Sequence, residues 1–184
     1  MATGRKKAAQ PEEPRERLEP ADRDEAERSA RSSRRERSDR VESRARSRAL
    51  QALYAWDMRG GEDLPRVAAQ VWDDLSVTPD ERERAGWLVH TVAREREALD
   101  GELAEVTANW RLERLGAIER SVLRLAAAEL RRGETPPRVV IKEAVRLAER
   151  YGTEQSARFV NGVVDALARR MGVLEGRRPQ RGAR

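Results

Sequence analysis

The sequence predicts an all-α fold, a compact bundle of six to seven helices. Three observations predict it. Apolar residues recur at helical spacing in every segment between Val41 and Met171. No segment shows the apolar/polar alternation of a half-buried strand. Gly, Pro and N-capping residues fall between the periodic segments, where helix ends are needed.

The first helix is expected from about Val41 to Met58. Ala49, Ala52, Leu53 and Trp56 follow i, i+3, i+4, i+7, and Gly60-Gly61 end the segment. Asp63 is placed to cap a second helix with Pro65 in its first turn. Its apolar face is Leu64, Val67, Ala68, Val71, Trp72 and Leu75. Thr78 and Glu81 have capping-box spacing around Pro79 and open a third helix. That helix carries Ala85, Leu88, Val89, Val92, Leu99, Leu103, Val106 and Trp110, with a weak point near Gly101. A fourth, from about Leu115 to Arg131, is apolar on two sides and is expected at the centre. Gly133 and Pro136-Pro137 break the chain. Val140, Ile141, Ala144, Leu147, Ala148 and Tyr151 mark a fifth helix, and Gly152 stops it. Thr153 caps a sixth, which buries Val160, Val163, Val164, Leu167 and Met171.

Composition narrows the function. Of 184 residues, 39% are charged and 4% aromatic, and there is no Cys. Disulfides, cysteine nucleophiles and thiolate metal sites are therefore excluded, and a reducing, cytoplasmic setting is expected. The single His, His90, lies on the third helix between Leu88 and Val92, where a boundary residue is expected rather than a catalytic one. Neither GxxxxGK[ST] nor GxGxxG occurs. Glu129, beside the apolar side of the fourth helix, could be a buried carboxylate. No apolar run is long enough for a membrane helix. No enzyme activity, cofactor or metal is expected.

The net charge of +5 conceals an uneven distribution. Met1–Arg48 holds 15 basic and 11 acidic residues, and Arg177–Arg184 carries +4. The body between them is mildly acidic. Residues 1–40 contain only Met1 and Leu18 as large apolar side chains, too few to offset the ordering cost, so they are expected to form a disordered charged extension. Residues 41–172 form the expected folded domain and 173–184 a basic flexible tail.

Arg31–Arg48 contains eight arginines against Glu36, Asp39 and Glu42. If the first helix extends backward, Arg37, Arg40, Arg44 and Arg48 lie along one side over about 16 Å. Such a row can follow phosphates, and arginine also stacks on unpaired bases. Tyr54, off the buried face, and Phe159, next to Arg158, are candidate stacking residues; each could equally be a core-edge residue.

Four strings, at Gln51–Trp56, Leu115–Arg124, Val140–Ala144 and Arg158–Asp165, together resemble the bacterial NusB family. Gln51-Ala52-Leu53-Tyr54-Ala55-Trp56, behind the arginines, looks like its first helix. Leu115-Gly116-Ala117-Ile118-Glu119-Arg120-Ser121-Val122-Leu123-Arg124 is similar to its fourth-helix signature. Val140-Ile141-Lys142-Glu143-Ala144 and Arg158-Phe159-Val160-Asn161-Gly162-Val163-Val164-Asp165 resemble two further ones, in the family's order. The resemblance covers about Val41 to Met171. It implies two three-helix-like subdomains and a non-catalytic role in transcription antitermination. Family members pair with NusE, a small-subunit ribosomal protein, and the pair binds boxA-type single-stranded RNA. The complex joins RNA polymerase with NusA and NusG and supports transcription of ribosomal RNA operons.

Carried over by motif, the resemblance implies RNA contacts from Arg44, Arg46 and Arg48, with Arg40 one turn earlier. It implies further RNA contacts from Tyr54, Arg158 and Phe159, and a partner-facing Glu119. Gln155 stands where the family often has Asp; it carries no charge and can donate as well as accept hydrogen bonds. Two alternatives remain at this point. A general arginine-rich RNA binder needs only the basic ends. A NusB-like module of an RNA cytosine methyltransferase needs a catalytic domain with a cysteine nucleophile, and this sequence has no Cys.

Overall fold

Helix α1 runs from Pro20 to Met58, about twenty residues further back than its apolar stripe. The computed structural model describes residues 20–61, 63–107 and 111–174. Residues 20–40 are thus helical rather than a disordered extension. Their Ala, Glu and Arg content explains this: these side chains favour helix without needing a buried face. Residues 28–37 are exposed throughout. Residues 1–19 and most of the expected basic tail, 175–184, lie outside the described residues, as does Trp110.

The remaining helices are α2 (Leu64–Asp74), α3 (Pro79–Val106), α4 (Ala117–Arg132), α5 (Pro137–Tyr151) and α6 (Glu154–Arg170). A 3₁₀ turn at Leu112–Arg114 precedes α4. Among the described residues there is no strand, and no helix is long and apolar enough to cross a membrane. The expected end residues act as expected. Asp63 accepts a hydrogen bond from the Arg66 N–H at 2.7 Å, and Thr78 Oγ1 one from the Glu81 N–H at 3.4 Å. Gly133 closes α4 at φ 72°, a left-handed conformation that costs other residues energy.

Helix α4 is the central element. All ten residues from Ser121 to Leu130 are buried, and the helix packs against α3, α5 and α6. α2 packs on α3 and α5 on α6. α1 adds Ala45, Ala49, Leu50, Ala52, Leu53 and Trp56 to the same core. Trp72 of α2 donates its indole N–H to the Arg48 carbonyl at 3.1 Å, tying α2 to α1. Three apolar positions depart from expectation. Leu115 precedes α4 and is half-buried, Leu75 is the exposed C-cap of α2, and Met171 is the half-buried C-cap of α6 rather than one of its buried residues.

Candidate nucleic-acid interface

The arginines of α1 divide by direction. Arg44 projects outward with 70% of its side chain exposed, and its Nη1 lies 3.6 Å from Glu81 Oε1. Arg48, one turn on, is half-buried; its Nε is 3.4 Å from Glu81 Oε2 and its Nη1 donates to Gln51 at 3.1 Å. The buried Glu81 carboxylate of α3 therefore pairs with two arginines of α1 that lie one turn apart. Arg40 is exposed one turn before Arg44.

Arg46 is the exception, and it corrects the expectation that it contacts RNA. It is 4% exposed, on the face that also carries Leu50 and Leu53. Its Nε lies 2.9 Å from Glu129 Oε2, and its Nη2 lies 2.6 Å from Oε1. Nη1 is 3.9 Å from Glu143. Burial works against the guanidinium charge, but hydrogen bonding to Glu129 and attraction from Glu129, Glu143 and Asp39 outweigh it, so the pKa is raised. Arg46 is a charged structural strut from α1 to α4. Glu129 is indeed a buried carboxylate.

Tyr54 is 41% exposed. It lies fourteen residues beyond Arg40, about four turns along the same side of α1. On α6, Gln155 and Arg158 are exposed in the first two turns, and Phe159 is half-buried, packed against the core. Trp56 is core, with Arg96 and Arg124 guanidiniums 5.6 and 5.9 Å from its ring centroid. Trp87 is half-buried, with the Arg132 guanidinium 4.1 Å from its ring centroid. His90 is exposed.

Glu119 occupies the third position of α4, and its position is constrained. Its carboxylate accepts a hydrogen bond from the Ser156 hydroxyl of α6 and lies against Gly116, where a Cβ would collide with it. Ser156 in turn accepts from the Thr153 N–H at 2.8 Å. Glu119 thus joins the starts of α4 and α6, the helix that presents Gln155, Arg158 and Phe159.

The sequence reading missed Arg146 and Arg150 of α5. With Arg40, Ser43 and Arg44 they line a groove of about 370 Å³ between α1 and α5. The available signal was a cation every fourth residue: Arg138, Lys142, Arg146 and Arg150, all exposed.

Comparison with known proteins identifies the family. Residues 43–169 match the NusB family. The transcription antitermination protein NusB of Sorangium cellulosum is 43% identical over 136 residues, covering 73% of this chain and 96% of that protein. That of Anaeromyxobacter dehalogenans is 46% identical, covering 68% and 89%. A crystal structure of antitermination factors NusB and NusE in complex with dsRNA superposes with a TM-score of 0.66 at 33% identity, covering 71% of this chain and 98% of that one. Thermotoga maritima NusB gives 0.64 at 31%, covering 70% and 90%. With the family model matched over residues 43–169 and relatives 43% and 46% identical over 96% and 89% of their length, the chain belongs to the NusB family.

Proposed function

We propose that this NusB-family protein is a transcription antitermination factor that binds boxA-type single-stranded RNA together with NusE. Through that complex it joins RNA polymerase, NusA and NusG and supports processive transcription of ribosomal RNA operons. The observation that carries the reading is the outward face of α1. Arg40 is exposed within about 40° of the exposed ring of Tyr54 around the helix axis, and Arg44 follows Arg40 by one turn, so phosphate-binding cations and a stacking surface are both on the outward side of α1.

Arg48 adds a partly exposed guanidinium to this face. Gln155, Arg158 and Phe159 on α6 supply further base and phosphate contacts. Glu119 serves the protein partner, either directly or by holding the first turns of α4 and α6 in place. A NusB relative of known structure has been crystallised with NusE and dsRNA, which supports both partner classes. Duplex RNA is therefore the natural competitor in a binding test.

A reconstituted transcription reaction tests the role. With RNA polymerase, NusA, NusG and NusE present, adding this protein should increase read-through on a template carrying boxA. A template with scrambled boxA should show no increase. Equal effects on both templates would sink the reading.

A further inference from the structure

The groove between α1 and α5 has two cationic walls. Arg40 and Arg44 stand one turn apart on α1, and Arg146 and Arg150 one turn apart on α5. A separation of four residues is about 6 Å along each axis. Between the walls, Arg146 Nη1 donates to Ser43 Oγ at 2.5 Å, and that hydroxyl donates to Glu143 at 2.6 Å.

Two acids also line the groove, Asp39 and Glu143. Glu143 is shared between guanidiniums, 3.6 Å from Arg146 and 3.9 Å from Arg46. Four arginines against two acids, one of them doubly paired, leave the groove cationic. Arg146 keeps 57% of its side chain exposed despite its bonds, so it retains N–H groups for a ligand. The Arg150 guanidinium lies 5.3 Å from the Tyr151 ring centroid, on an exposed side chain.

We propose that Arg146 and Arg150 form a second phosphate-binding wall, so that an RNA strand on the α1 arginines is held across the α1–α5 groove. The inference rests on the chain being an RNA-binding protein and assigns residues that its family motifs do not include. A phosphodiester strand fits better than an acidic peptide helix. The lining offers Leu147 as its one large apolar side chain, whereas a docked helix needs an apolar strip. Planar guanidiniums also match phosphate oxygens in bidentate fashion.

The test is equilibrium binding of the full chain to a fluorescein-labelled single-stranded boxA-type RNA between 50 and 200 mM salt, conditions over which phosphate contacts show. The R146Q/R150Q variant should bind about tenfold more weakly, and its log–log salt slope should shrink by about 1.4, near 0.7 per lost contact. R150Q alone should lose about half of that slope, and it leaves the Arg146 bonds to Ser43 and Glu143 intact. Arg94→Gln, an exposed change on α3 outside this groove, should change neither. Wild-type binding with an unchanged R146Q/R150Q slope overturns the second wall and leaves the proposed function standing. No RNA binding by wild type, with or without NusE, overturns both. The same proteins are titrated with poly-glutamate: if R146Q/R150Q loses poly-glutamate binding while keeping wild-type RNA affinity, the groove is assigned to an acidic protein and the proposal is overturned.

Discussion

Arg46 of α1 and Glu129 of α4 form a buried ion pair, with Nε and Nη2 bonded to both carboxylate oxygens at 2.6–3.0 Å. Thr135 adds a contact to the same carboxylate at 3.4 Å. The pair lies on the side of α1 away from Arg44, whose side chain projects to solvent, while Arg48 is half-buried against Glu81. It makes α1 a helix with two kinds of arginine, one kind holding the helix in place and the other presented to solvent.

Removing either member of that pair should be costly. Arg46→Ala leaves the Glu129 carboxylate buried without its main partner, and a loss of about 3–5 kcal/mol is expected. Arg46→Met combined with Glu129→Leu should lose much less, because neither charge is then stranded. Urea unfolding midpoints measure both; equal losses for the single and double variants would show that packing matters more than charge.

Tyr54 and Phe159 should separate by their burial. Tyr54→Ala should lower RNA affinity by about 1–3 kcal/mol with little change in thermal stability, as expected for an exposed stacking ring. Phe159→Ala should lower both, since the ring also packs against the core. Phe159→Leu restores much of the packing but not the stacking, and should recover stability while affinity stays low.

The Glu119–Ser156 contact should couple α4 to α6. Ser156→Ala removes a hydroxyl that serves both Glu119 and the Thr153 N–H, at a cost of about 1–3 kcal/mol. Glu119→Gln keeps an acceptor oxygen and should preserve the fold while weakening NusE binding. Calorimetric titration with NusE reads this directly, and unchanged affinity would remove Glu119 from the partner surface.

Gly133→Ala tests the end of α4. The glycine sits at φ 72° with its N–H bonded to the Glu129 carbonyl at 3.1 Å. A side chain there should cost about 1–2 kcal/mol, read as a lower unfolding temperature with RNA binding unchanged.

Much of the fold was legible because helix period and end residues agreed. Asp63, Thr78, Gly133 and Gly152 each stand where a helix begins or ends. The two-sided apolar pattern of α4 marked it as central, and its ten consecutive buried residues bear this out. Residues 20–40 escaped a reading based on apolar stripes, since their helix rests on local propensity. Arg46 was misplaced for a different reason. The family motif groups it with Arg44 and Arg48, but two residues along a helix is a rotation of about 200°. Its position on the stripe of Leu50 and Leu53 called for a buried carboxylate, and Glu129 was recognised separately. Matching them required the packing of α1 on α4, which no local pattern encodes. The α1–α5 groove was hidden in the same way: its two walls are about a hundred residues apart in sequence and meet only in the folded chain.

The most direct measurement is RNA affinity with and without NusE, comparing boxA-type single strands, scrambled single strands and duplex. The account predicts that NusE tightens binding to boxA and that the preference over scrambled RNA persists at moderate salt. Equal affinity for all three RNAs in the presence of NusE would contradict it and leave a general arginine-rich RNA binder.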